Sequence, residues 1–375
     1  MKITFIITRA DDLGGAQVHV RDLAAALSER GEDVTVLAGG GGVLFEALAG
    51  SAVECRKLDR LIHPIRPRQD WAAYKEIRAA LQDLKPDLVT THSNKAGLLG
   101  RFAARMFNIP VVHTSHGFLF SNRPNSPAGR FYRLMEGTAA RAASMVIAVS
   151  ESEFEAAQSL GVIAPEKMAV VHNGLPDLDP PLAATPSADS PRLVMVARFA
   201  EPKDHLTLIK ALGGLKEQPW SLVLVGDGSG RARAERLARQ QGIANRVEFT
   251  GVRDDVPAIM ASSQVFVLSS RREGFPLSVL EAMRAGLPVV ASGVGGIGEA
   301  IAEGESGLLF PPGNVEALRV ILGALIKNSA LRESMGKAGR RRFLECFTLE
   351  QMVDKTMDVY RSVLSKPGKE NSRTG

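Results

Sequence analysis

The sequence is poor in cysteine: two among 375 residues, Cys55 and Cys346, in opposite halves of the chain. One pair so far apart is neither a disulfide framework nor a metal-ligand set, and it points to a reducing cytosol. Aromatic residues make up only 5%. The basic part of the chain lacks the interleaved rings of a stacking surface, which disfavours a nucleic-acid partner. Long apolar runs are missing as well. None approaches the roughly 20 residues that a membrane span needs, and the opening MKITFIITRADD carries too short an apolar run for a signal peptide. The expected location is the cytoplasm.

What is present is the composition of a globular protein, 45% hydrophobic and 23% charged, with 36 glycines that suggest many tight loops. A chain of this length exceeds one hydrophobic core, so two domains are expected. The net charge is +5, unevenly spread: Arg56 to Arg141 carries 15 Lys/Arg against 6 Asp/Glu, and the remainder is net negative. A basic middle segment suits an anionic neighbour such as a phospholipid surface or a lipid-linked phosphate, or is simply a solvated face.

Short apolar runs alternate with helical periodicity. KITFIITR reads as a strand and LGGAQVHVRDLAAALSERG as a glycine turn into an amphipathic helix. DVTVLAGG, DLVTTHS, VVHTSHG and SMVIAVS continue the strands. A proline-rich stretch without period, PDLDPPLAATPSADSPR, reads as a linker, after which RLVMVARF, WSLVLVGDG, RVEFTG, QVFVLSS, LPVVASG and GLLFPPG restart the alternation. Strands alternating with helices mean parallel sheets of right-handed βαβ units. The expected fold is α/β, two Rossmann-like doubly wound domains facing a cleft. The boundaries read as 1–176, a linker at 177–191, a second domain at 192–346, a helix at 347–365 packing back on the first domain, and a disordered polar tail at 366–375.

In open parallel sheets, ligands bind beyond the carboxyl ends of the strands. Arg198 and Lys203 follow one strand, a fixed guanidinium and a mobile ammonium suited to a diphosphate. Gly226 opens the GDG that follows the next, where backbone could approach a ligand. Gly293, Gly295 and Gly298 satisfy the dinucleotide fingerprint G-x-G-x-x-G, but on a late strand and with a helical pattern where the ribose-binding acid belongs. In EGFPLSVLEA, Pro276 suits the first helical position, leaving the amides of Gly274, Phe275 and Leu277 free at the strand end. Glu281 then lies about one and a half turns inside the helix and could accept hydrogen bonds from two ribose hydroxyls, while Glu273 outside faces a second polar group. Spacing alone equally allows a helix-dipole carboxylate and a salt-bridged glutamate.

The pair in EGFPLSVLEA resembles the E-x7-E signature of retaining glycosyltransferases of the GT-B fold, in particular family 4. GGAQVHVRDLAAALSERGEDVTVLAG, HNG, ARFAEPKD, VGDG, GLPVVAS and SGLLFPPGN follow in that family's order and spacing, so the resemblance spans roughly Lys2 to Leu364. THSNKAGLLGRFAAR followed by VVHTSHGFLF is similar to bacterial enzymes of capsular and exopolysaccharide synthesis.

The resemblance implies hexosyl transfer from a nucleotide-diphosphate sugar, a UDP-sugar being expected, to a hydroxyl of a glycan or lipid-linked acceptor, with retained configuration. It implies that Arg198 and Lys203 hold the diphosphate, that Glu281 binds the ribose, and that Glu273 contacts the sugar with the amides of Gly274 and Phe275. Gly14 and Gly15 would close over the diphosphate, and His116 would sit at the reacting sugar. Gln17 and Gly298 depart from the family pattern, where an acid and a proline are common. No cofactor and no metal are expected, the Asp177–Asp179 pair lying in the linker rather than at a strand end. Lys95, Phe118, Arg123, Arg130 and Arg133, with Leu119 and Phe120, form an expected acceptor or anionic-membrane face. The rivals are a nucleotide-sugar epimerase of similar two-domain form, which does not predict the E-x7-E pair, and a non-catalytic NAD or sugar-nucleotide binder, which would keep the glycines but need not keep His116 and Glu273.

Overall fold

The computed structural model describes residues 1–11, 13–118, 120 and 126–365. Arg123, Leu119 and the expected tail at 366–375 lie outside them. The chain divides into two compact units, Met1–Asn173 with Leu349–Gly375, and Gly174–Thr348.

In the first unit the strands are β1 (Lys2–Ile7), β2 (Asp33–Gly39), β3 (Glu54–Leu58), β4 (Leu88–His92), β5 (Val111–Ser115), β6 (Met145–Ala148) and β7 (Met168–Val170). Between them run α1 (Gly15–Glu29), α2 (Val43–Leu48), α3 (Pro67–Leu84), α4 (Asn94–Arg105), α5 (Pro127–Ala142) and α6 (Glu151–Ser159). The second unit holds β8 (Arg192–Val196), β9 (Ser221–Val225), β10 (Val247–Gly251), β11 (Val265–Leu268), β12 (Val289–Ser292) and β13 (Gly307–Phe310). Its helices are α7 (His205–Gly213), α8 (Arg231–Gln240), α9 (Val256–Ala261), α10 (Leu277–Arg284), α11 (Ile297–Ala300), α12 (Val315–Lys327) and α13 (Ser329–Cys346). Helix α14 (Leu349–Leu364) returns to the first unit, where Met352, Val353, Met357, Tyr360 and Val363 join the core built on Phe5, Val20, Leu23 and Leu27.

Both sheets are wholly parallel, ordered β3-β2-β1-β4-β5-β6-β7 and β10-β9-β8-β11-β12-β13. Central strands such as β1 (eBBBBB in burial) and β9 are nearly continuous apolar runs, as strands covered by helices on both faces must be. In each sheet the order reverses once, at β1/β4 and at β8/β11. That is where the loops beyond the carboxyl ends diverge and leave a crevice.

The stretch expected as a linker belongs to the second unit. Arg332 on α13, 1% exposed, donates to the carbonyls of Pro186 and Ala188 as well as to Leu325 and Ile326, and the Ala184 amide donates to the Ala285 carbonyl at 2.8 Å. Asp177 accepts both Arg340 N–H groups at 2.7 and 2.6 Å, so its carboxylate is committed to an ion pair.

Candidate functional site

The second unit gathers most of the expected donor residues at its switch point. Arg198 is exposed, two residues beyond β8. The loop that carries Lys203 is zipped to the loop after β11: the Asp204 amide donates to the Ser269 carbonyl and the Arg271 amide to the Pro202 carbonyl, each at 2.9 Å. This pairing brings Lys203 to Glu273, 70 residues away in sequence. The Lys203 ammonium donates to Glu273 Oε1 at 2.5 Å, with the side chains only 20% and 10% exposed. A charge-assisted bond of that length orients both groups, and Lys203 lies in the same loop after β8 that carries Arg198.

Glu273 and Gly274 are propped from behind by the glycine loop after β12. The Gly296 amide donates to the Gly274 carbonyl at 2.8 Å, and Gly295, at φ +54°, sits so close that a Cβ would lie 1.8 Å from the Glu273 carbonyl oxygen. Of the fingerprint glycines, Gly295 therefore serves a packing role against the glutamate loop, while Gly293 and Gly298 lie against Leu309. All three follow the fifth strand of the second unit, Gly298 lying within the four-residue helix α11, unlike a dinucleotide site at the first strand.

Helix α10 starts one residue later than the sequence suggested. Pro276 is the N-cap, with ψ 124°, and Leu277 is the first helical residue. Phe275 is buried against Phe347 with ring centroids 5.4 Å apart, which anchors the turn and holds Pro276 extended. Glu281 is half-buried in the second turn. Gly226, at φ +130°, approaches backbone of its own chain: a Cβ there would lie 2.3 Å from the Ala197 carbonyl oxygen, beside Arg198.

On the first unit, Gly14 caps α1 and Gly15 opens it, at the switch point between β1 and β4. His116 follows β5 and keeps partial exposure. Its Nε2 lies 3.2 Å from Nδ1 of His92, the last residue of β4, whose Nε2 is 3.3 Å from Thr90 Oγ1. Burial drives the pKa of both imidazoles well below the ordinary histidine value, and the neighbouring histidines push in the same direction. His19, on α1, completes the group, its Nδ1 3.0 Å from Asn173 Oδ1. His19 and His92 were missed in the sequence; histidine at or just past two successive strand ends, β4 and β5, could have flagged His92, whereas His19 lies inside α1 and gave no such signal.

The expected acceptor or membrane face is only partly at the surface. Lys95 is 12% exposed and donates to Asp70 at 2.6 Å and to the Pro64 carbonyl. Phe118 is 4% exposed and stacked on Phe120 in the small core with Ala140 of α5 and Ala157 of α6. Arg130 is exposed and Arg133 half-buried on α5, beside the exposed Phe131 and Leu134. Among the described residues no helix is long and apolar enough to cross a membrane.

Comparison with known proteins agrees with this architecture. Residues 13–177 match the family described as Glycosyltransferase Family 4, and residues 183–342 match Glycosyl transferases group 1. An Escherichia coli protein named UDP-Gal:alpha-D-GlcNAc-diphosphoundecaprenol alpha-1,3-galactosyltransferase is 29% identical over 311 residues, which cover 78% of this chain and 79% of that one. A putative glycosyltransferase of Bacillus subtilis, EpsD, is 27% identical over 81% of this chain and 84% of its own. The crystal structure of Anabaena HepE with UDP and glucose superposes with a TM-score of 0.83 at 24% identity, covering 96% of this chain and all of that one. With two glycosyltransferase domain families tiling it in order and both sheets of the GT-B fold in place, the chain belongs to the GT-B glycosyltransferases.

Proposed function

We propose that the protein transfers a hexosyl group from a UDP-sugar to a hydroxyl of a lipid-linked or polysaccharide-precursor glycan, with retained configuration. The observation that carries the reading is the Lys203–Glu273 pair at the second unit's switch point, with exposed Arg198 in the same loop after β8 as Lys203. Two cations fixed at a strand end stabilise the charge that develops on a departing diphosphate, so transfer needs no metal. A diphosphate draws the Lys203 ammonium while Glu273 turns to the sugar, Glu281 takes the ribose, and Gly14 and Gly15 follow the diphosphate. On the first unit the same reading assigns His116 to the reacting sugar. The acceptor proton passes to the leaving phosphate oxygen, on the face from which that group departs. The uridine base and the diphosphate-lipid acceptor are supported by the E. coli relative's name, and UDP also by the Anabaena title.

A thermal-shift panel with UDP, GDP, ADP and NAD, each with and without EDTA, tests the donor side. At about 100 times its Kd a ligand stabilises by about 2.7 kcal/mol. The expected result is a UDP shift that EDTA leaves unchanged, abolished in Glu281→Ala and retained in Glu273→Gln, whose turnover falls. A shift with NAD alone overturns the reading.

Peripheral membrane association rests on α5, where Phe131, 57% exposed, and Leu134, 70% exposed, directly follow Arg130 and Arg133. Co-sedimentation with vesicles containing anionic lipid should fall when both apolar residues are changed to serine; binding indifferent to lipid charge argues against it.

A further inference from the structure

On the first unit His116 stands in a cluster with two further histidines, His19 and His92, to which the transfer reaction gives no role. His19, His92 and His116 come from α1, the end of β4 and the turn after β5, and one ring nitrogen from each lies within 4.8 Å of the others. Their ring centroids are 4.8, 5.4 and 5.5 Å apart, close to an equilateral triangle. Zinc–nitrogen bonds of about 2.0–2.1 Å at tetrahedral angles set ligand nitrogens about 3.3 Å apart. The His92–His116 separation of 3.2 Å already matches, and the widest must close by roughly 1.5 Å to reach it.

The hydrogen bonds around the cluster select the form that binds metal. His19 Nδ1 is 3.0 Å from Asn173 Oδ1, an acceptor, so Nδ1 carries the proton and Nε2 keeps its lone pair. That Nε2 is fully buried and has no hydrogen-bond partner. An unused lone pair inside a protein costs free energy, and beside two more imidazoles it is an unfilled ligand position. His92 Nε2 lies 3.3 Å from Thr90 Oγ1, a hydroxyl able to accept its proton, and in that tautomer Nδ1 is an acceptor facing His116 at 3.2 Å. Only His116 must move its proton, from Nε2 to Nδ1, for three nitrogens to face one point. Asn173 and Thr90 then stand as the outer hydrogen-bond partners that orient metal-bound histidines. His116 retains partial exposure, which gives an ion a way in and leaves a fourth position open to water.

We propose that His19, His92 and His116 form a binding site for a late first-row divalent cation, zinc foremost. A set of three neutral imidazoles without a carboxylate suits zinc, copper, nickel and cobalt, and offers nothing to magnesium or calcium, which take oxygen ligands. Zinc on the cluster removes the His116 ring from any other partner, so the ion acts as an inhibitor of transfer. That consequence rests on the proposed role of His116, whereas binding itself does not.

The test uses the full chain, stripped with EDTA and desalted, titrated with zinc chloride against a chromophoric chelator. The expected result is one zinc per chain, no competition from excess magnesium, and a loss of affinity of at least about 100-fold in His19→Gln and in His92→Gln. His63→Gln, on an exposed histidine, keeps wild-type affinity. Circular dichroism checks that each variant is folded; should neither His19→Gln nor His92→Gln fold, the cobalt spectrum of the unaltered chain decides, a tetrahedral ligand-field band supporting the site and its absence refuting it. Folded His19→Gln and His92→Gln with unchanged zinc affinity, or binding lost with His63→Gln, overturn the proposal. UDP binding measured in EDTA is independent of all these outcomes, so failure of the zinc site and failure of the donor assignment are told apart.

Discussion

At the scale of single residues, burial decides what charges can do in this molecule. His113, on β5, is 2% exposed, and its Nδ1–H donates to the Thr91 carbonyl at 3.0 Å. Burial, with the Arg101 guanidinium adding to it, lowers its pKa to about 3 against the weaker opposing pull of Glu136. His205, stacked on Phe199, is lowered to about 4, again chiefly by burial. A base whose folded pKa is depressed leaves the unfolded chain holding more protons between the two values, so stability rises with pH across that window. The molecule should therefore lose stability as pH falls from about 6.5 towards 4, by on the order of a few kcal/mol for each such histidine. Carboxylates contribute to acid denaturation too, so the informative quantity is a difference. His113→Gln should show a shallower fall in melting temperature than the unaltered chain over that range. Parallel curves would mean that His113 is not held neutral.

At the scale of elements, the central strands were legible because a parallel strand covered on both faces is an unbroken apolar run. The two strands without a readable pattern, β3 and β7, are the edges of the first sheet, and β3 alternates poorly (eiieB in burial) because only part of it is covered. Helix α10 was legible in kind, but its start was displaced by the burial of Phe275 and Pro276, a tertiary contact that no local rule contains. The same limit hid the Lys203–Glu273 pair and the three histidines, which become neighbours only through strand order. It also turned the proline-rich stretch into a fixed strap, since the buried Arg332 that holds it lies about 140 residues away, at a separation of 144 from Ala188. One element-scale consequence is measurable. Gly295→Ala places a methyl group against the Glu273 carbonyl at a left-handed φ. Left-handed backbone alone costs a non-glycine residue roughly 1–2 kcal/mol, and the clash must move the loop that carries Glu273. UDP-sugar turnover should drop at least about tenfold with far-UV circular dichroism unchanged, and full retention of turnover would show that the two loops are not coupled.

At the scale of the whole molecule, the decisive feature is that the first unit is discontinuous in sequence. Residues 174–348 form the second unit, and only then does α14 add Met352, Val353, Met357, Tyr360 and Val363 to the core around Phe5 and Leu23. Full burial of such a side chain stabilises by about 1.5–3 kcal/mol, so five of them contribute on the order of 10 kcal/mol. Area-based figures of this kind are upper bounds, yet this one equals the entire stability of an ordinary domain, about 5–15 kcal/mol. The surface ion pair of Arg30 with Asp354, at 2.5 Å with both side chains largely exposed, adds little beside that. It follows that the first unit cannot complete its core until residues 349–364 have been made, although all seven strands of its sheet are synthesised first, whereas the second unit is continuous in sequence. A chain ending at Thr348 should therefore keep one cooperative melting transition, that of residues 174–348, and lose the other. Its first 173 residues should exchange their amides within the dead time of a hydrogen-exchange experiment, and adding the α14 peptide in excess should restore protection to β1 and α1. Native-like protection of β1 in the truncated chain without the peptide would mean that α14 covers the core without being needed to form it.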